Sequence, residues 1–174
     1  LMLKRELRLP IESNLDDMAK YFANCEDEAS ASEAYYIQGA YLNYIGENTQ
    51  AMQYLKKAES YPAASIIRGM TYYKMGRISE SEQLYDIALE NYQKALPYLE
   101  EAGLPLYLAS VYRELGRNTD EEIGNKYFDK ALAAARFMGD SILCMDIRYA
   151  QLSINQPYSP EIARICQYMC HRVG

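Results

Sequence analysis

The only histidine of the chain, His171, follows Cys170 directly, and Cys166 lies four residues before Cys170. Residues four apart share one face of a helix, so this is a spacing at which a helix can turn two thiolates and an imidazole toward a metal ion. A structural zinc needs a fourth ligand, and no other His or Cys lies near: Cys25 and Cys144 are distant, and no CxxC pair occurs. The four thiols therefore read as buried or idle, with no metal and no cofactor expected. Carboxylates cluster at Glu26-Asp27-Glu28, Glu100-Glu101 and Asp120-Glu121-Glu122. These fall in expected turns or on helix exteriors, where a carboxylate is a solvated surface group rather than half of an acid/base pair. Cys144 and Cys166 have no helper histidine in predictable reach, and GxGxxG, GxxxxGK[ST], GxSxG and HExxH are all absent. No catalytic residue is assigned, and the chain is expected not to be an enzyme.

The elements that would position any site must be built from 174 residues, 49% of them hydrophobic, with 18 Tyr and no Trp. That suits one domain or one short repeat array. The formal net charge is −6 and no segment gathers enough Lys and Arg to follow a phosphate backbone, which argues against nucleic acid as the partner. Apolar runs are short and interrupted by charge, so no membrane insertion is expected. The start, Leu1-Met2-Leu3-Lys4, has neither an h-region nor a cleavage site. The chain reads as a fragment of a longer one, and its compartment, cytoplasmic or exported after loss of a signal, is left open.

Periodicity predicts helix throughout. Leu15, Met18, Ala19 and Phe22 fall at i, i+3, i+4 and i+7 behind a Ser13-x-x-Asp16 start, an acidic variant of the capping box. Ser159-Pro160-Glu161 places an N-cap, a first-position proline and a first-turn acid before Ile162, Ile165, Cys166 and Met169. No period-2 run or hairpin turn signals a strand. Helices are expected over 13–24, 31–45, 49–60, 63–75, 79–100, 104–115, 119–138, 141–154 and 159–172, with residues 1–8 finishing an earlier one. Gly46, Gly76, Gly116 and Gly139 read as helix stops. Pro97 should kink or divide the longest helix.

Three segments repeat one pattern: Gly39/Leu42/Gly46, Gly69/Tyr72/Gly76 and Ala109/Tyr112/Gly116, each a small residue, a bulky one three later and a glycine seven later. The following helices match too, as Ala51/Leu55/Ala58, Ser81/Tyr85/Ala88 and Gly124/Phe128/Ala131. This pattern resembles the tetratricopeptide repeat, a helix-turn-helix unit of about 34 residues, over residues 32–132. Tyr35 stands where that family prefers Trp, and Pro62 closes the first unit one residue early. The resemblance implies an all-α fold of about 9–10 helices in hairpins stacked as a right-handed superhelix. As one domain over 1–174, it divides into a degenerate half repeat (1–31), repeats at 32–62, 63–103 and 104–138, and a degenerate last repeat (139–174). Small residues at Gly39, Gly69 and Ala109 let two helices of a hairpin approach, so Gly39→Leu should overpack the crossing at a cost on the order of 1–3 kcal/mol. No hairpin covers its own apolar face, so neighbours stabilise one another.

The array is irregular. Ser81/Tyr85/Ala88 and Ala88/Tyr92/Ala95 both satisfy the small-large-small rule, the signature of a seven-residue, two-turn insertion in the second unit. About three extra residues near Asn118–Glu122 predict a longer turn in the third.

The family's arrays generally bind proteins or peptides on the concave face made by each unit's first helix. Carried over, that face holds Glu33, Tyr36, Ala40, Asn43 and Tyr44, then Ile66, Met70, Tyr73 and Lys74, then Leu106, Ser110, Arg113 and Glu114. Tyr and Met suit adaptable contacts, whereas the basic clamp for chaperone-tail carboxylates is absent; Lys74 and Arg113 are the cations left to meet an acidic group. The expected function is therefore non-catalytic binding of a protein or peptide partner. Two alternatives accompany it. Tyr92-Gln93-Lys94-Ala95-Leu96 and the Tyr-rich first helices resemble the repeat sensor regions of some bacterial membrane-anchored regulators, and a terminal repeat with an uncovered apolar face can self-associate as a homodimer.

Overall fold

The computed structural model describes residues 11–157 and 159–173, with side chains for 17–157 and 159–168. Expectations placed on residues 1–8, and on the side chains of Ser13, Leu15, Asp16, Met169, Cys170 and His171, lie outside the described residues. Within them the fold is all-α, and no strand occurs. The helices are α1 (Ile11–Asn24), α2 (Glu28–Tyr44), α3 (Asn48–Ser60), α4 (Ser65–Ser81), α5 (Tyr85–Ala102), α6 (Pro105–Arg117), α7 (Glu121–Phe137), α8 (Ser141–Asn155) and α9 (Pro160–Val173). Within residues 11–102 and again within 105–173, each helix packs on its sequence neighbour, which is the repeat architecture the pattern implies. The chain divides into two compact units, residues 1–102 and 103–174, with the division at the join between the second and third expected repeats.

In the first unit, α1 packs on α2, and the hairpins α2/α3 and α4/α5 follow. Asp27 caps α2, its carboxylate accepting from the Ser30 N–H at 3.2 Å. The helix ends at Gly46, whose φ of +92° is the left-handed conformation that lets Glu47 N–H reach back to Leu42 C=O at 2.9 Å. Across the hairpin, a Cβ on Gly39 would stand 2.8 Å from Leu55 Cγ, so only glycine admits this crossing. The buried Ser32 hydroxyl donates to Ala58 C=O at 2.8 Å and pins the far end.

The second hairpin departs from the expected boundaries. Gly76 does not stop α4, which runs on to Ser81, and α5 begins at Tyr85. Seven residues are two turns, so Gly76 shows the same face as Gly69, and each meets its own partner. Leu99 Cδ2 lies 2.8 Å from a Cβ built on Gly69, and Tyr92 Cε1 lies 2.6 Å from one built on Gly76. Of the two registers open in the sequence, Ala88/Tyr92/Ala95 forms the core, while Tyr85 is 62% exposed. α4 and α2 have 17 residues each, whereas α5 has 18 against 13 in α3, so the added length lies in α5 alone. The turn is made by Gln83, a non-glycine residue at φ +61°, with Leu84 N–H bonding to Ser79 C=O at 2.8 Å. Pro97 leaves α5 undivided; it lies on the exposed side, where the carbonyl it strands faces water.

In the second unit, α6/α7 and α8/α9 are the hairpins, and α7 and α6 both touch α8. Val111, Leu115, Phe128, Ala131, Ala135 and Ile147 are buried at its core. Gly116 also stays inside its helix, facing Gly124: a Cβ on Gly124 would stand 2.7 Å from Gly116 C=O. That close approach turns the chain within residues 118–120, in place of the longer loop expected around Asn118–Glu122. Asp140 caps α8, accepting from Leu143 N–H at 2.9 Å, after Gly139 closes α7 at φ +69°.

Candidate binding surface on the first helices

The first helices of the first unit are α2 and α4, joined by the Tyr36 hydroxyl reaching Met70 Sδ at 3.8 Å. Tyr36 is 9% exposed, and Tyr73 equally so. Tyr73 packs on Tyr92 with ring centroids 6.2 Å apart and accepts a hydrogen bond from Arg77 Nη1 at 3.2 Å. Burial opposes the charge on Arg77, yet Tyr73, Tyr92 and Glu80 outweigh it and hold the guanidinium above its ordinary range. These two tyrosines thus brace the surface from beneath. What faces solvent is Tyr44, 65% exposed, and Ile66, 42% exposed, with Ala40, Asn43, Met70 and Lys74 half-buried between them.

Ile37, 43% exposed, belongs with this set although sequence reasoning passed over it. It lies three residues before Ala40 and seven before Tyr44, so the helical period itself carries the signal. Asn43 donates from Nδ2 to Asn48 Oδ1 at 3.0 Å, and Asn48 donates in turn to Glu82 Oε1 at 3.0 Å. This amide relay fixes the end of α2 against the end of α4.

In the second unit, α6 presents Leu106, exposed, and Ser110, whose hydroxyl turns back to Leu106 C=O at 3.1 Å. Arg113 is engaged within the fold. Its Nε and Nη2 bond to Glu114 Oε1 at 2.8 and 2.7 Å, and its Nη1 pairs with Asp146 on α8. Burial again opposes the cation, and the two carboxylates more than offset it, leaving the guanidinium above its usual range. Glu114, nearly fully buried, also meets Arg117 at 3.5 Å. Sequence reasoning missed the partners on α8: Ile142, Asp146 and Tyr149 stand at i, i+4 and i+7, and Ile142 and Tyr149 are exposed. The ion pair between Arg113 and Asp146 sets this face of α8 beside α6.

The carboxylate runs serve the fold and its surface. Asp27 caps a helix, Glu122 pairs with Lys126 at 2.8 Å, and Glu101 accepts from the Ser65 hydroxyl at 2.6 Å. Cys25 and Cys166 are exposed and Cys144 half-buried. Among the described residues, no three His, Cys, Asp or Glu side chains gather as a metal site, and no helix is long and apolar enough to cross a membrane. No protein-family model matches the chain, and no curated protein matches it significantly.

Proposed function

We propose that the chain is a non-catalytic protein-interaction module that takes a protein or peptide segment on the first-helix surfaces of its units. The observation that carries this reading is the exposed apolar row of Ile37, Tyr44 and Ile66 around half-buried Met70. Solvent-facing side chains of this type lose water favourably when a partner covers them. Tyrosine adds area with a hydroxyl, and methionine repacks to fit what it meets. The tetratricopeptide resemblance of the repeats assigns binding to this same face.

The test is affinity capture from a lysate of the source organism, read by mass spectrometry, with wild type beside Tyr44→Ala/Ile66→Ala. Both residues are exposed, so the variant should keep its circular-dichroism spectrum. A partner held by wild type and lost by the variant supports the reading. Equal capture by both removes the first-helix surface of the first unit. Capture by neither, with a dimer seen by light scattering, turns the reading toward self-association.

A further inference from the structure

A cleft of about 550 Å³ opens between the first half of α3 and the end of α4, and it shares no residue with the first-helix surface. Its size falls in the range of about 300–1,000 Å³ typical of ligand sites. Met52, Ile78 and Leu84 line it with apolar atoms, and Leu84 is half exposed. Ser79 lines it as well, 1% exposed and, among the described residues, with no hydrogen-bond partner for its hydroxyl. A buried hydroxyl without a partner is a group that an occupant's backbone can satisfy.

Charge orders the cleft along α3. Glu82 is bonded to Asn48, the first residue of that helix, so its carboxylate marks one end. Lys56, exposed and also lining the cleft, comes eight residues later, about 12 Å along the axis at 1.5 Å per residue. In an extended segment, residues i, i+2 and i+4 point to one side and span about 13 Å. The geometry points to an extended peptide as occupant, with a basic residue, an apolar residue two positions on and an acidic residue two further on. The basic side chain meets Glu82, the apolar one enters between Met52, Ile78 and Leu84, and the acidic one meets Lys56. The inference stands whether or not the first-helix surface binds.

Fluorescence anisotropy on the full chain tests it with labelled peptides carrying Lys-Ser-Leu-Ser-Glu between Gly-Ser flanks. Controls carry Lys-Ser-Leu-Ser-Lys, Glu-Ser-Leu-Ser-Glu or Lys-Ser-Ser-Ser-Glu. Wild type should favour the first peptide severalfold over both charge controls and about tenfold over the leucine-less one. Ser79→Ala should weaken it severalfold. Glu82→Lys should move the preference to the doubly acidic peptide, and Lys56→Glu to the doubly basic one, a switch that misfolding cannot produce. Equal affinity for all four peptides, no binding at millimolar concentration, or preferences unmoved by both reversals overturns the inference.

Discussion

The ring of Tyr92 packs on the backbone of Gly76: a Cβ on that glycine would stand 2.6 Å from Cε1 and 2.8 Å from Cδ1. Tyr92 is 2% exposed, and its hydroxyl donates to Glu80 Oε2 at 2.9 Å, which holds the ring in place. Helix propensity alone would make Gly76→Ala stabilising by about 1 kcal/mol, since the residue is mid-helix. Overpacking against a fixed ring should outweigh this and leave a net loss of about 1–2 kcal/mol in urea unfolding. Gly46→Ala should cost about 1 kcal/mol for a different reason, because its site is open but its φ is left-handed. A Gly76→Ala protein as stable as wild type would show that the ring yields.

Gln83 occupies the position at the end of α4 that Gly46 occupies at the end of α2, with the same backward bond from the following N–H. A side chain in that conformation is strained by about 1 kcal/mol. Gln83→Gly should therefore raise stability by about 0.5–1 kcal/mol, and Glu26→Gly, at φ +58°, should act likewise between α1 and α2. Two losses in place of two gains would mean that unfolded-chain entropy dominates both turns.

Arg113 holds Glu114 and Asp146 together. Arg113→Ala leaves the nearly buried Glu114 without its closest cation and should destabilise by about 3 kcal/mol. Arg113→Lys should recover only part, because an ammonium cannot make the two-sided contact of a guanidinium. The check is urea unfolding of both variants, and a loss below about 0.5 kcal/mol in Arg113→Ala would show that water screens the network.

Tyr72 carries a pH dependence. Burial first, and then the neighbouring Glu59 carboxylate, push its phenol above the usual value near 10, while Arg68 pulls slightly the other way. The folded state thus keeps this proton longer than the unfolded chain does. Its contribution is complete below pH about 10 and is lost as pH rises through the raised value. Melting temperature should fall from pH about 10 upward, less steeply in Tyr72→Phe, which keeps the stacking on Tyr98. Parallel curves for the two proteins would exclude Tyr72 as a source of the alkaline loss.

The candidate surface was legible as positions along helices, but its exposure was not. Tyr36, Tyr73 and Tyr44 are the same residue type on first helices, yet two are braced beneath neighbouring side chains and the third faces water. Exposure depends on what the next helix brings, as Met70 does for Tyr36 and Tyr92 does for Tyr73. Arg113 read as a cation on offer because Asp146, its partner, lies 33 residues away on another helix. No local pattern announces such a pair.

By itself the sequence determined that the chain is helical and that its helices pair through small residues against large ones. The 3.6-residue period and the recurrence of Gly39, Gly69 and Ala109 express local sterics, which need no distant partner. The tertiary structure alone decided where the second hairpin turns. Gly46 and Gly76 sit identically after Gly39 and Gly69, and a two-turn shift preserves every face, so both registers satisfied the same rule. The choice rests on Tyr92 filling the hollow over Gly76 and Leu99 the one over Gly69, a fit between residues 16 and 30 positions apart. Packing across that distance selects one register where helical periodicity allows two.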